Sequence, residues 1–160
     1  MLRPDGEAGT YIVARLKPGV SVLAIDGNNQ VYLTEEFHYG VGRITIEAVS
    51  GGVEPGEDAL ETAKRELREE VGIVAAEWTD LGMADPFTAN VVSPTRLYLA
   101  RGLSHVAQDL EGTEQIRIVK VEFAEAVKMV LESTITHGPS CVLILKAALI
   151  MGQVQADVID

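Results

Sequence analysis

Residues 51–73 read GGVEPGEDALETAKRELREEVGI. From Asp58 to Glu70 there is no Gly or Pro, and Ala59, Leu60, Ala63 and Leu67 are spaced for one buried stripe, which predicts a short amphipathic helix. Pro55-Gly56 ahead of it is turn chemistry. Acidic residues gather in the first turn, where the helix dipole favours them, and Gly72 stands where a left-handed stop is expected. Glu66, Glu69 and Glu70 fall at i, i+3 and i+4, so their carboxylates share one side near the C-terminal end. Each like-charged pair costs about 0.2–0.5 kcal/mol in an isolated helix, and the negative end of the dipole adds to the penalty. A divalent cation reverses that sign. Oxygen ligands suit Mg2+, with Mn2+ as a substitute, and no Cys/His spacing calls for zinc. The structural alternative is a solvated, ion-paired helix, since Glu61 and Arg65 are also four apart; such a helix pairs its charges, whereas this one stacks Glu66 against Glu70. Arg65 reads as a clamp on Glu57 and on the loop before the helix.

The same segment satisfies the pattern G-x5-E-x7-R-E-U-x-E-E-x-G-U, where U is a bulky aliphatic residue. Gly51, Glu57, Arg65, Glu66, Leu67, Glu69, Glu70, Gly72 and Ile73 hold the fixed positions. A chance match has odds of roughly one in 10^8 per starting position at average residue frequencies. That pattern is the Nudix box, and the chain resembles the Nudix hydrolases. The resemblance implies a Nudix-type α/β/α sandwich with a mixed β-sheet. It also implies hydrolysis, with a divalent metal, of a nucleoside diphosphate linked to another group. By the same resemblance Glu66, Glu69 and Glu70 hold Mg2+, the backbone carbonyl of Ser50 is a further ligand, and Gly51, Glu57, Arg65 and Gly72 are structural.

Composition bounds the rest. A chain of 160 residues, 47% hydrophobic and 23% charged, predicts one globular domain over 1–160, and no apolar run reaches the ~20 residues of a membrane span. The opening MLRPDGEAGT lacks the regions of a secretion signal and the single cysteine excludes an internal disulfide, so a cytoplasmic location is expected. Cys141, in an apolar run, reads as a buried inert thiol. A net charge of −11 argues against polymeric nucleic acid as partner. A small phosphorylated ligand is compatible with it, because a bound metal neutralises the acidic pocket locally.

Strands are expected at 11–16, 20–25, 30–34 and 44–49, with Asp26-Gly27-Asn28-Asn29 as a hairpin turn. Beyond the box, strands are expected at about 77–82, 95–100 and 116–123. Phe123, Ala126, Val127, Val130 and Leu131 recur at helical spacing, and Val142–Met151 reads as a final apolar helix. Two helical segments on one side of the sheet and the box helix on the other give an α/β fold.

Outside the box, EEFHYGVGRITIEAVSGGVEPGED resembles the corresponding segment of the ADP-ribose pyrophosphatases and related nucleotide-sugar hydrolases. GTEQIRIVKVEFAEAVKMVLESTITHGPS resembles the region after their catalytic loop, in which an acid before an isoleucine supplies or orients the base; Glu114 matches that acid and Glu111 is its near competitor. A box glutamate, Glu69 among them, is the other candidate catalytic residue. Two departures leave the substrate open. His38 takes a position usually held by a phosphate-binding Arg, and DPFTANVVSP replaces an expected S-P-G-like element. Arg43, His38 and Glu47 are the candidate substrate-binding residues; an ion pair of Arg43 with Glu36 or Glu47, and a surface position for His38, are the structural readings beside that. The expected activity is Mg2+-dependent cleavage of a nucleotide sugar or ADP-ribose to a nucleoside monophosphate and a sugar phosphate. A nucleoside triphosphate pyrophosphatase and a non-enzymatic nucleotide sensor are the alternatives, and a homodimer is expected.

Overall fold

The computed structural model describes residues 3–110 and 115–152. The chain runs β1 (Ala14–Arg15), β2 (Gly19–Ile25), β3 (Gln30–His38), β4 (Arg43–Gly52), α1 (Ala59–Val71), β5 (Ile73–Ala84), β6 (Val91–Val92), β7 (Thr95–His105), β8 (Arg117–Glu122), α2 (Phe123–Leu131) and α3 (Gly138–Ile150). Six strands form one sheet in the order β5-β7-β2-β4-β3-β8. It is mixed, because β2 runs parallel to β7 and antiparallel to β4.

Side-chain alternation on β2 decides how the layers assemble. Val20, Val22 and Ala24 face one side, where they pack with Val49, Tyr98 and Ala100 against Ala63, Leu67 and Val71 of α1. Leu23 and Ile25 face the other, with Leu33, Ala48, Leu97 and Leu99, against Phe123, Ala126 and Met129 of α2 and Leu143, Ile144 and Ala147 of α3. A strand buried on both faces reads as a near-continuous apolar run, and VSVLAI is one, interrupted only by the small, buried Ser21. The result is an α/β/α sandwich. Asp26 caps the β2–β3 turn, its Oδ1 accepting from Asn28 N at 2.9 Å and Gln30 N at 3.0 Å, while Asn29 takes a left-handed φ of 57°.

Local chemistry sets both ends of α1. The Asp58 carboxylate caps the start by accepting from the N–H of Leu60 at 2.8 Å and of Glu61 at 3.4 Å. The stop is Gly72 at φ 62°, whose N–H donates to Arg68 O at 3.0 Å. A Cβ on Gly72 would fall 2.8 Å from the Val106 carbonyl oxygen, so space as well as conformation requires glycine.

The structure departs from the expected elements at the first segment and at the starts of β5 and α3, and β3 and β7 run beyond the expected 34 and 100 to His38 and His105. Only Ala14–Arg15 of the 11–16 segment is strand, and it pairs with β6 in a separate two-stranded sheet, leaving Tyr11, Ile12, Val13 and Leu16 exposed. β5 starts at Ile73, directly after the helix stop, and not near 77; its register with β7 begins at Ile73↔His105. α3 starts at Gly138, four residues before Val142, because Pro139 fits the first turn, where its missing N–H has no helical partner to lose. Cys141 is half-buried where a buried thiol was expected; it donates to Ile135 O at 3.3 Å, and burial pushes its pKa up, which disfavours the reactive thiolate. No helix among the described residues is long and apolar enough to cross a membrane.

Candidate active site

The last residues of β4, Ser50, Gly51 and Gly52, run into the turn at Pro55-Gly56, where Gly56 at φ 86° lets the Glu57 N–H return to Glu54 O at 3.0 Å. That turn sets Glu57 beside α1. Arg65 reaches it with a two-pronged grip, Nε donating to Oε1 at 3.1 Å and Nη2 to Oε2 at 3.3 Å. Nη2 also meets the Gly52 carbonyl at 3.4 Å. Nη1 lies 2.9 Å from Glu66 Oε1 and 3.0 Å from Glu69 Oε2. One guanidinium therefore gathers three carboxylates and the loop before the helix.

The hydrogen bonds from Arg65, with a smaller one from Thr62, hold the Glu57 carboxyl down to about 2, and the carboxylates in turn raise the Arg65 pKa. The ordinary value for Glu57 is 4.5. Because its folded pKa is the lower one, the stabilisation is complete above 4.5 and disappears as pH falls toward 2. Arg65→Ala is expected to lower Tm by roughly 2–8 °C at neutral pH and to flatten the acid limb of the Tm–pH curve. An unchanged melting curve across that pH range would remove Arg65 from this role.

Glu66 and Glu69 are largely covered, with side-chain exposures of 14% and 12%. Glu66 lies directly against the backbone of Gly51, where a Cβ would fall 2.0 Å from its Oε1. Among the described residues no three carboxylate, imidazole or thiol groups stand close enough to share a metal ion, and Glu66 and Glu69 both lie on the Arg65 guanidinium. The donor chemistry nevertheless fits a hard divalent cation, with all-oxygen carboxylates on α1 beside the Ser50–Gly51 backbone. The C-terminal turn of α1 also anchors the segment after β7: Gln108 Nε2 donates to Glu70 O, and Asp109 N to Glu69 O at 3.2 Å. Glu111 and Glu114 lie outside the described residues.

A cavity of about 560 Å³ opens beside this loop, lined by Ser50 and Gly51 together with His38, Thr45, Glu47 and His137. Glu47 is buried at its wall. Its Oε1 accepts from Thr45 Oγ1 at 2.6 Å, and its Oε2 lies 3.1 Å from His137 Nδ1. His38 Nδ1 is 2.9 Å from Thr45 Oγ1, and His137 Nδ1 is 2.8 Å from Ser140 Oγ, which accepts from Ala48 N at 2.9 Å. Burial pushes the His137 pKa down, opposed by Glu47 and reinforced by His38. Arg43 turns to neither Glu36 nor Glu47; its Nη2 donates to Thr136 Oγ1 at 2.8 Å. His137 and Ser140 had no role in the sequence reading. Their signal was a polar HGPS start to an otherwise apolar helix.

The family model of the NUDIX domain matches residues 15–134, and the chain belongs to that family. It is a Nudix hydrolase similar to ADP-ribose pyrophosphatases. An ADP-ribose pyrophosphatase of Mycobacterium tuberculosis (strain ATCC 25618 / H37Rv) is 32% identical over 141 residues, covering 84% of this chain and 67% of that protein. One of Bacillus subtilis (strain 168) is 28% identical over 135 residues, covering 79% and 70%. A methanol dehydrogenase activator of Bacillus methanolicus is 28% identical over 145 residues, covering 88% and 77%. Among solved structures, an ADP compounds hydrolase superposes with a TM-score of 0.73 at 22% identity, over 87% of this chain and 77% of that one, which shows the shared fold.

Proposed function

We propose that this Nudix hydrolase cleaves the diphosphate bridge of ADP-ribose or a nucleotide sugar in a Mg2+-dependent reaction, releasing a nucleoside monophosphate and a sugar phosphate. The observation that carries this reading is the cavity at Ser50 and Gly51, which joins the box loop to a polar wall at His38, Glu47 and His137. Two relatives named ADP-ribose pyrophosphatase support it. Glu66, Glu69 and Glu70, with the Ser50 carbonyl, are the proposed ligands of Mg2+, for which Mn2+ would substitute. The ion would neutralise charge on the phosphoryl oxygens. Arg65 holds the box loop to α1 and so fixes where the Ser50–Gly51 backbone meets the glutamates. Glu114 is the proposed general base, with Glu69 as the box alternative; the anchoring of residues 108 and 109 on α1 supports a loop acid in that role.

The test is turnover, with Mg2+, of ADP-ribose, ADP-glucose, GDP-mannose, NADH and dNTPs, read as phosphate after phosphatase coupling. Preferred hydrolysis of ADP-ribose or a nucleotide sugar is expected. Exclusive turnover of dNTPs would make the chain a triphosphate pyrophosphatase, and binding without turnover would make it a sensor.

A homodimer belongs to the same proposal. The exposed apolar residues Tyr11, Ile12, Val13 and Leu16 flank the short β1–β6 pair and offer an edge and a surface to a second copy. Light scattering at micromolar concentration should give twice the chain mass; a monomer would contradict it. Cytoplasmic residence and a small nucleotide, not a polymer, as substrate complete the proposal, supported by the single cysteine and the net charge of −11.

A further inference from the structure

The wall of the cavity at His38, Glu47 and His137 has a definite hydrogen-bonding polarity. His137 Nδ1 faces Ser140 Oγ at 2.8 Å and Glu47 Oε2 at 3.1 Å. A bare ring nitrogen facing a carboxylate oxygen would set lone pair against lone pair, so Nδ1 carries the proton. His38 Nδ1 faces the Glu36 carbonyl oxygen at 3.4 Å and Thr45 Oγ1 at 2.9 Å. Thr45 gives its own proton to Glu47 Oε1 at 2.6 Å, so its oxygen can only accept from His38. Both Nδ1 atoms are donors by this network. In its neutral form an imidazole has one N–H, so with Nδ1 donating each Nε2 is then a bare acceptor, and neither Nε2 has a hydrogen-bond partner among the described residues.

The two rings flank opposite oxygens of one buried carboxylate, with Oε1 toward His38 at 3.8 Å and Oε2 toward His137 at 3.1 Å. Among the described residues no Lys or Arg lines the cavity. A wall of two acceptors backed by a carboxylate repels phosphate and suits a ligand that brings donors. We propose that His38 and His137, positioned by Glu47, form a subsite for a vicinal diol of a ribose-type sugar, each Nε2 accepting from one hydroxyl. This rests on the reading of the chain as a diphosphatase of sugar-bearing nucleotides. It adds which part of the substrate the cavity takes. A volume of about 560 Å³ accommodates a pentose, and the shared Ser50–Gly51 lining keeps that sugar next to the box loop.

Two sugars could supply the diol, the terminal one or the ribose of the nucleoside. The experiment measures kcat and KM with Mg2+ for ADP-ribose, for the β-methyl ester of ADP, which has no terminal sugar, and for ADP-ribose lacking the nucleoside 2′ and 3′ hydroxyls. His137→Leu removes one acceptor, and His137→Gln restores an oxygen near the Nε2 position. For ADP-ribose, His137→Leu is expected to raise KM about tenfold with kcat little changed, and His137→Gln to recover much of the loss. An unchanged KM for the methyl ester assigns the diol to the terminal sugar. An unchanged KM confined to the dideoxy compound assigns it to the nucleoside ribose. KM values raised equally for all three substrates, or raised for none, would overturn the subsite. Should His137→Leu not fold, His38→Leu, on a more exposed ring, takes its place with the same expectations. If the wild type turns over none of ADP-ribose, ADP-glucose and GDP-mannose, the diphosphatase reading itself is overturned, whereas retained turnover with unselective variants overturns the subsite alone.

Discussion

Glu66→Gln is expected to lower kcat by ~10²–10³-fold at saturating Mg2+ while leaving Tm close to that of the wild type. The substitution keeps volume and removes a charge from a covered carboxylate beside the box loop. Arg65 would still grip Glu57 with both prongs and Glu69 with the third nitrogen, so the scaffold keeps its main contacts. Glu70→Gln should behave alike. The measurement is initial rate across a Mg2+ titration, and near wild-type turnover at saturating metal would sink the proposed ligand set. Glu114→Gln provides the contrast: an acid that takes a proton from water acts in the transition state, so kcat falls while KM and the Mg2+ requirement stay put. A loss with Glu111→Gln, and none with Glu114→Gln, would move the base to the earlier acid. Silence of both would return that role to the box, with Glu69 first in line.

How much of this was legible depended on the distance over which each signal acts. The box helix was written within one turn of either end, by Asp58 and Gly72, and no tertiary contact was needed to find it. The β2–β3 hairpin was equally local, since Asp26 and Asn29 both make their turn contacts within four residues. The 11–16 segment misled because aliphatic and β-branched composition does not say what a strand will pack against; Ile12 is 81% exposed. The start of β5 was hidden for the opposite reason: Ala75 and Ala76 are weak strand formers and separate Ile73 and Val74 from the run at 77–82, and the pairing of Ile73, Val74 and Ala75 is supplied by β7. The histidine wall is the extreme case. Glu47 and His137 meet because α3 begins over β4, where Ser140 hydrogen-bonds the Ala48 N–H, and nothing local in either segment names the other.

Gly51→Ala separates geometry from charge at the same place. Gly51 sits in β4 opposite Val20 of β2 in an ordinary strand register, and its backbone does not need the left-handed region, so alanine costs little in conformation. Space is what glycine supplies. An added Cβ would lie 2.0 Å from Glu66 Oε1, 2.1 Å from Cδ and 2.4 Å from Cγ, distances at which the whole end of the side chain must swing away. The Glu66 carboxylate would survive with its charge intact but displaced from the loop, and Arg65 would follow it or lose one of its three carboxylates. Activity is therefore expected to fall ~10²-fold, approaching the Glu66→Gln loss, with a Tm change smaller than that of Arg65→Ala. The decisive comparison is the double variant. If Gly51→Ala acts by moving Glu66, adding it to Glu66→Gln should cost little further activity, because the group it displaces has already lost its charge. Independent, multiplying losses would mean that Gly51 serves the backbone approach to the ligand and not the placement of Glu66.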